Sequence, residues 1–254
     1  MKITSILSVC LLTFLVFSSV SLAQEMKPEA GKLYNAGNDM LKAGNYNGAI
    51  DSYDKALQIE KDYRIYYQKG QAQKKAGSLD AAKSSFEESI KLKSDFEAGY
   101  NALGGVYFSL GNFEAAIKNF EKVMEISKDN KTKNKVKTNL SLAYSKMGTT
   151  AMSDGNVNKA VEYLQKAVTM NNYDAAYLSL AKLYSETGDW DKSISAAENA
   201  LKYKSGIPKG GPYFYMGISY KGKGDITKAK EMFTLAKSDA TYKKTAEYEL
   251  SILN

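Results

Sequence analysis

The side chains that most often carry catalysis or bind metals are almost absent from this sequence. The chain of 254 residues contains no histidine and only one cysteine, Cys10. Without histidine it lacks the commonest general base near neutral pH and the commonest metal ligand. A thiolate zinc site needs several cysteines, and no Gly-x4-Gly-Lys-Ser/Thr phosphate loop occurs. We therefore expect a protein that is not an enzyme and that uses no cofactor or metal ion.

Two short fragments combine glycine with charged residues, as some binding loops do. Residues 222–225 read Gly-Lys-Gly-Asp, and residues 154–156 read Asp-Gly-Asn. The first fragment lacks the spacing of a phosphate loop, and the second lacks the regularly spaced carboxylates of a calcium loop. Both are better explained as the end of one helix followed by the cap of the next.

The chain is basic, and lysine supplies nearly all of the positive charge. Lys and Arg total 35 against 28 Asp and Glu, a net charge of +7, and Arg64 is the only arginine. Nucleic-acid-binding proteins favour arginine because it makes bidentate contacts with phosphates and bases. We therefore expect no nucleic-acid partner, and we interpret the lysines as a solubilising surface that would favour acidic partners.

The elements that must position any functional residue become visible in the middle of the chain. Tyr100, Leu103 and Tyr107 are spaced three and four residues apart, so they share one face of a helix. Gly111 is suited to end that helix, and Asn112 is suited to cap a second one. The segment is therefore predicted to be a helix–turn–helix unit, which needs similar neighbours to cover its apolar face.

The same unit recurs six times, with 33 to 44 residues between equivalent positions. The turn position always holds glycine, the next position always holds a capping residue, and a small residue always stands seven positions before the turn. The turn glycines are Gly44, Gly77, Gly111, Gly155, Gly188 and Gly224, and the small residues are Gly37, Gly70, Gly104, Gly148, Ala181 and Gly217.

This pattern resembles the tetratricopeptide repeat, a helix–turn–helix unit of about 34 residues. The resemblance implies an all-α fold, a right-handed superhelix or solenoid of about six repeats that ends in a C-terminal capping helix over 244–254. Proline, usual near the end of each repeat in the family, is missing from that position in all six copies. The predicted repeats span 30–62, 63–96, 97–130, 141–173, 174–209 and 210–243.

Two segments depart from the regular period. A ten-residue insertion over 131–140 contains four alternating lysines, Lys131, Lys133, Lys135 and Lys137. We interpret it as an extended, solvated lead into the fourth repeat, and the alternative is a docking patch for an anionic partner or a membrane surface. The second departure is a predicted loop rich in glycine and proline over 205–212, SGIPKGGP.

The N-terminus has the features of a secretory signal peptide over 1–23. Lys2 gives a positive start, residues 3–20 form an apolar run, and Ser21-Leu22-Ala23 is a suitable cleavage site. Residues 24–29 form a short lead. We expect an exported protein, periplasmic in the first instance, with the cell surface or secretion as alternatives. An uncleaved membrane anchor is the other interpretation of the run, and no further membrane contact is expected.

In the family that the sequence resembles, the first helices of the repeats line a concave groove that binds proteins or peptides. The resemblance implies a mixed groove of amides, lysines and apolar side chains, suited to a peptide segment or partner helix. Its predicted residues are Tyr34, Asn38, Tyr67, Gln71, Lys74, Asn101, Phe108, Ser145, Thr149, Leu178, Lys182, Phe214 and Lys221.

One subfamily grips the acidic C-terminal tails of heat-shock chaperones through a two-carboxylate clamp of Lys, Asn and Arg side chains. Asn38 matches that pattern, but Tyr34, Gln68, Ala98 and Ala102 do not. The clamp is therefore not predicted for this chain.

The predicted function is a non-catalytic protein–protein interaction scaffold of the bacterial cell envelope, with a partner of unknown identity. The alternative is a module that binds a solute or glycan through the groove aromatics Tyr34, Tyr67, Phe108 and Phe214, since aromatic rings can serve as glycan platforms. A small-ligand site would bring these rings together, whereas a peptide groove would spread them along the superhelix.

Overall fold

The structure is a computed structural model, and it describes residues 25–253. In that span it consists of thirteen α-helices without strands, so the predicted all-α solenoid is confirmed. None of these helices is both long and apolar enough to cross a membrane. The helices are α1 Pro28–Lys42, α2 Tyr46–Ile59, α3 Tyr63–Lys75, α4 Leu79–Leu92, α5 Glu97–Ser109, α6 Phe113–Ile126, α7 Asn130–Ser153, α8 Val157–Met170, α9 Asp174–Thr187, α10 Trp190–Lys202, α11 Gly210–Gly222, α12 Ile226–Ala236 and α13 Lys243–Ile252.

The helices pack as consecutive pairs, each of which also packs against the next. The first helices of neighbouring pairs touch one another, as α3 does with α5 and α9 with α11. We call α1, α3, α5, α7, α9 and α11 the inner layer, and α2, α4, α6, α8, α10 and α12 the outer layer. The closer approach of the inner helices places them on the concave side of the stack.

The turns inside the pairs follow one local rule. All six turn glycines have φ between 73° and 82°, the left-handed region in which a side chain would be strained. Asn112 then accepts a hydrogen bond from the backbone N–H of Ala115 at 3.1 Å, which caps the second helix. Equivalent caps are made by Asn45, Asn156 and Asp225, whereas Ser78 and Asp189 make no side-chain cap bond.

The two helices of a pair meet where a glycine of the first helix lies against a large side chain of the second. A Cβ atom added at Gly104 would lie 2.7 Å from Cε1 of Phe120, far inside the ~3.5–4.0 Å of a normal carbon contact. The large side chains are at most 2% exposed. The same contact, at 2.6–2.7 Å, joins Gly37 with Tyr53, Gly70 with Phe86, Gly148 with Leu164 and Gly217 with Phe233.

The fifth pair satisfies the same requirement with a different combination of residues. Ala181 replaces the glycine, and Ala197 takes the position of the large side chain; both are fully buried. The hydroxyl of Ser193 donates to the carbonyl oxygen of Ala181 at 2.8 Å, and Ser219 Oγ lies 2.7 Å from Ser193 Oγ. The position that holds glycine in the other pairs is thus larger here, and the position that holds a large side chain is smaller.

Neighbouring pairs are joined by a polar contact that recurs ten residues after the turn glycine. Glu87 accepts from the Tyr107 hydroxyl at 2.9 Å, and Glu121 accepts from the Tyr144 hydroxyl at 3.1 Å. Burial and the bond to Glu121 raise the pKa of Tyr144 to about 12, so the hydroxyl keeps the proton that it donates. In two other repeats the residue at this position also contacts the next pair. Asp54 forms an ion pair with Lys69, and the Gln165 side-chain amide donates to the Tyr184 hydroxyl.

Residues 131–140 are helical, so the expected extended lead is wrong. They form the first part of α7, which has 24 residues where the other inner helices have 13 to 15. Asp129 caps the start by accepting from the N–H groups of Lys131 and Thr132. Val136 and Leu140 are at most 2% exposed and continue the apolar stripe of the fourth repeat. This burial stabilises a helix that the lysines alone would not.

A buried carboxylate holds the loop before the sixth repeat. Asp174 is 2% exposed, and its Oδ2 accepts from the backbone N–H groups of Ser205, Gly206 and Ile207 at 2.6, 2.8 and 3.2 Å. Burial raises the pKa of this carboxyl, but these bonds and one from the Ala175 N–H lower it by more, to about 2. Asp174 therefore fixes the one long connection between two repeats.

The ends of the described chain differ from the simple repeat. Helix α1 begins at Pro28, inside the expected lead, because proline is well tolerated in the first turn of a helix. At the other end α13 packs against α12 through the fully buried Ala246, while Tyr248 and Ile252 face solvent. The last helix thus covers the end of the stack with one side only.

We predict that Gly104→Ala destabilises the protein although alanine is the better helix former. The added Cβ collides with the buried Phe120 ring, and overpacking of this kind costs about 1–3 kcal/mol. The matched control is Gly105→Ala in the same helix, where only the Lys74 ammonium comes within 4 Å. It should leave the free energy of unfolding unchanged or raise it by up to about 1 kcal/mol. Equal effects of both changes in urea denaturation would contradict the contact.

We predict that Asp174→Asn lowers the free energy of unfolding at pH 7 and removes part of its pH dependence. Because the folded pKa of about 2 lies below the unfolded value of ~3.9, the stabilisation is present above pH 4 and lost as the pH falls to 2. Its size is on the order of 2 kcal/mol. Other carboxylates titrate in this window, so the measurement is the difference between wild type and variant. A difference that stays constant from pH 6 to pH 2 would refute the assignment.

Candidate functional site: a cavity on the inner layer

A cavity of about 270 Å³ opens between three inner helices, α3, α5 and α7. Five of the thirteen predicted groove residues line it, and they come from the second and third repeats. Helix α7 supplies two further lining residues that the resemblance did not indicate. The lining residues are Tyr67, Gln71, Lys74, Asn101, Ala102, Gly105, Phe108, Phe120, Asn139 and Leu142.

The polar lining of the cavity is made of amides and a phenol. Gln71 Nε2 donates to the Tyr67 hydroxyl at 2.8 Å, and Asn139 Nδ2 donates to Asn101 Oδ1 at 3.3 Å. The second bond joins α5 to the inserted part of α7. Lys74 reaches over the same opening, since its Nζ is 3.5 Å from the position of a Cβ at Gly105. These side chains can hydrogen-bond a polypeptide backbone or polar side chains.

The apolar lining is held in place by ring contacts. Tyr67 packs edge-on against Phe96 with ring centroids 5.1 Å apart and lies 5.7 Å from Phe86. Phe108 packs edge-on against Phe113 at 5.3 Å. Both lining rings are half-buried, so each presents one surface to the cavity while the other is fixed by the core.

The inner helices around the cavity carry a strongly unbalanced charge. Helices α3, α5 and α7 contain nine basic residues and a single acidic one, Glu97. The outer helices of the second and third repeats, α4 and α6, contain six acidic residues and four lysines. The lysines are therefore not dispersed evenly, as the sequence interpretation assumed, but are concentrated on the first helices of repeats two and four.

Two basic residues of α3 are neutralised by carboxylates, Lys69 by Asp54 and Arg64 by Asp62. Arg64 pairs with Asp62, with Nη2 2.6 Å from Oδ2, and Asp62 also caps the helix through the Arg64 N–H. Burial raises the pKa of the Asp62 carboxyl, but the bonds from Arg64 lower it by more, so it lies below its ordinary value. This pair belongs to the start of the helix and lies apart from the cavity lining.

The predicted residues of the first repeat lie outside the cavity. Asn38 accepts from the Tyr53 hydroxyl at 2.8 Å, so its amide oxygen is engaged inside its own helix pair. Tyr34 lies 6.1 Å from the Tyr53 ring. Both residues support the packing of α1 on α2, and the structure does not bring them together with the cavity residues.

The predicted residues of the fourth and fifth repeats are also separate from the cavity. Ser145 is 7% exposed, and Thr149 bonds to the carbonyl oxygen of Lys146. Leu178 is half-buried near Gly211, and Lys182 lies on the surface 3.8 Å from Glu186. Ser145 is therefore largely withdrawn from the surface.

The predicted residues of the sixth repeat are engaged by the end of the chain. Phe214 packs between Phe233 and Tyr242, with centroids 5.8 and 5.4 Å away. Lys221 Nζ is 2.6 Å from Glu249 Oε2 on α13. These two residues fasten the capping helix, a role that the resemblance could not indicate because it depends on residues after the last repeat.

Two cavity residues, Asn139 and Leu142, were not predicted. Asn139 was missed because the insertion over 131–140 was interpreted as extended, whereas Leu142 lies in the predicted fourth repeat and was left out of the predicted groove. Val136, Leu140, Ala143 and Met147 repeat at helical spacing through this segment. That spacing was the signal that could have revealed α7. On a helix, Lys135 lies one turn before Asn139, and Lys146 lies one turn after Leu142.

Comparison with protein families gives the same architecture. Tetratricopeptide repeat models match residues 30–63, 63–96, 95–172 and 145–208. The chain belongs to the tetratricopeptide repeat family. A TPR repeat-containing protein of Methanocaldococcus jannaschii is 27% identical over 144 residues, which cover 56% of this chain and 23% of that protein. The chain thus spans less than a quarter of that relative.

Two solved structures have similar folds, and one of them is described as a TPR protein. YrrB, described as a TPR protein with an unusual peptide-binding site, is 21% identical, with 77% of this chain and 97% of that chain covered and a TM-score of 0.51. PilF of Pseudomonas aeruginosa is 15% identical, with 87% and 97% covered and a TM-score of 0.50. At these identities the likeness establishes the fold alone.

We predict that the Lys221–Glu249 pair contributes to the stability of the last repeat. Their side chains are 34% and 15% exposed, so the pair is better shielded from water than Lys182 and Glu186, at 47% and 55%. A double-mutant cycle of Lys221→Met and Glu249→Gln should give a coupling free energy of about 1 kcal/mol in thermal denaturation. The cycle at Lys182 and Glu186 should give less than about 0.5 kcal/mol. Equal couplings would show that burial of the pair has no effect.

Proposed function

We propose that this TPR protein is a non-catalytic interaction scaffold that binds a peptide segment or partner helix on its concave side. The observation that carries the proposal is the cavity between α3, α5 and α7. There, fixed aromatic surfaces and amide groups from three consecutive repeats line the same opening. A peptide needs this combination, because apolar contacts give affinity and amides satisfy its backbone groups.

The comparison with YrrB supports this proposal at the level of the concave fold. YrrB is described as having a peptide-binding site, and its chain is covered almost completely by the present one. In the present chain the inserted part of α7 also contributes to the proposed site, through Asn139.

We further propose that the scaffold works in the bacterial cell envelope after export. The support is the sequence of residues 1–23, which has the positive start, apolar run and cleavage site of a signal peptide. These residues lie outside the described span. The periplasm is the proposed compartment, and the cell surface or the medium are the alternatives.

The alternative function, binding of a solute or glycan, rests on the four groove aromatics. Tyr67 and Phe108 line one cavity, so these two rings are close enough to serve a small ligand. Tyr34 and Phe214 instead pack in the first and sixth repeats. A peptide groove accounts better for rings that are spread over the stack.

We predict that Gly105→Leu abolishes partner binding without loss of folding. Gly105 lines the cavity, and its added Cβ meets only the end of the Lys74 side chain. The leucine would therefore fill the cavity without a collision in the core. The matched control is Gly31→Leu in α1, where a Cβ meets nothing within 4 Å.

The measurement is affinity capture of residues 24–254 from envelope extract, followed by mass spectrometry. A protein retained by wild type and by Gly31→Leu, but lost from Gly105→Leu, is the expected result. Equal retention by all three baits would move the binding site away from the cavity. Co-purification of a glycan or solute, with no protein, would favour the alternative function.

We predict that the full chain is exported and cleaved after Ala23. Expression in a bacterium, fractionation and N-terminal sequencing should give a periplasmic protein that begins at Gln24. A variant lacking residues 2–23 is the control and should remain in the cytoplasm. A full-length chain in the membrane fraction would instead identify the apolar run as a retained anchor.

A further inference from the structure

The charge of the concave side identifies the kind of partner that the cavity is suited to bind. This inference rests on the proposed function, because it concerns the chemistry of a peptide in that site. Helices α3, α5 and α7 carry nine basic residues and one acidic residue, of which Arg64 and Lys69 are paired with Asp62 and Asp54. The other seven basic residues are lysines, so these helices make the concave side positive, whereas α4 and α6 behind them carry more acidic than basic residues. A field of this kind favours anionic partners over cationic ones.

One lysine lines the cavity, and two more on α7 lie one helical turn from lining residues. Lys74 lines it directly, Lys135 lies one helical turn from the lining residue Asn139, and Lys146 lies one turn from Leu142. Within residues 25–253 none of the three forms an ion pair with a carboxylate, although thirteen other ion pairs are present there. Their positive charges are therefore not neutralised within the described protein.

The cavity lining also has more hydrogen-bond donors than acceptors. The Tyr67 hydroxyl accepts from Gln71 and keeps its own hydrogen, and the Asn101 oxygen accepts from Asn139, which leaves the Asn101 NH₂ group free within the described span. Lys74 adds three donors. No carboxylate lines the cavity. A ligand rich in acceptors would satisfy this lining, and a carboxylate is the strongest such acceptor in proteins.

The apolar part of the lining sets a second requirement. Phe108, Leu142 and Ala102 offer a hydrophobic surface beside the donors. A peptide that carried only acidic residues would leave this surface exposed to water. A side chain such as leucine next to the carboxylate would cover it and remove that apolar surface from water.

We propose that the cavity recognises an acidic peptide segment in which an Asp or Glu side chain neighbours a large apolar residue. The carboxylate lies among Lys74, Lys135, Lys146 and the donors of Tyr67 and Asn101. The apolar side chain packs on Phe108 and Leu142. The inserted part of α7 is required, because it contributes Lys135 and Asn139 to this site.

The same helices provide matched controls for the three lysines. Lys75 follows Lys74 and is exposed, and Lys133 and Lys137 lie on a different face of α7 from Lys135. A variant with Lys74, Lys135 and Lys146 changed to glutamine and one with Lys75, Lys133 and Lys137 changed to glutamine lose the same charge. A difference between them thus reports position and not net charge.

The test is selection of a random dodecapeptide library, displayed on phage, on residues 24–254 at about 0.15 M salt, where exposed charges are screened beyond ~8 Å. Clones that also bind Gly105→Leu are removed, which leaves clones that depend on the cavity. We expect Asp and Glu next to Leu, Ile or Phe to be enriched in these clones. Their affinity should fall at least tenfold for the first lysine variant and less than twofold for the second.

Other outcomes overturn this inference in distinguishable ways. Cavity-dependent peptides without enrichment of acidic residues would refute it and leave the proposed function standing. An absence of cavity-dependent peptides would refute both. Equal losses with the two lysine variants would reduce the effect to general electrostatic attraction. Competition by a single-stranded 20-nucleotide DNA with the same lysine dependence would show a polyanion site that is not specific for peptides. Equal melting temperatures of all variants are the folding control.

Discussion

The close contact between a glycine on the first helix and a large side chain on the second determines the rest of this structure. Because Gly104 has no Cβ, α5 can approach α6 until Phe120 lies against its backbone. Repetition of this contact in the pairs gives a regular stack. In the fifth pair, alanine replaces both the glycine and the large side chain. Ala181 adds volume on the first helix, Ala197 removes volume on the second, and both are fully buried. Register along the whole chain follows from this local packing.

The stack separates two kinds of surface. Acidic side chains of the outer layer, such as Glu87 and Glu121, are used to join one repeat to the next through tyrosine hydroxyls. The inner helices of repeats two to four contain a single carboxylate, Glu97, and most of their lysines form no ion pair in the described span. The fold thus places most basic residues of these repeats on the inner helices and most acidic residues on the outer helices.

The repeat architecture was predictable from the sequence because it depends on local rules. Turn glycines, caps and small residues act within one helix pair, so their spacing specifies the pair. The cavity was predictable only in part. Tyr67, Gln71 and Asn101 follow from their repeat positions, but Asn139 depends on the insertion being helical, which buried Val136 and Leu140 decide.

Contacts between distant segments were not predictable. Asp174 occupies an ordinary first position of a repeat, and only the fold brings the backbone of residues 205–207 to its carboxylate. Asn38 and Lys221 occupy groove positions by register, yet one is engaged by Tyr53 and the other by Glu249. Glu249 lies beyond the last repeat, whereas Tyr53 belongs to the same repeat as Asn38, and the spacing of the repeats did not indicate that the two would bond.

The central physical claim is that the size of the residue at position 104 is limited by the ring at position 120. Its most direct test is a double-mutant cycle of Gly104→Ala and Phe120→Ala, measured as free energies of unfolding in urea. In the Phe120→Ala background, Gly104→Ala should cost nothing or stabilise, giving a coupling free energy of about 1–3 kcal/mol. The natural Ala181 and Ala197 pair has this composition. If Gly104→Ala has the same effect in both backgrounds, the two residues do not limit each other and the account of the stack is wrong.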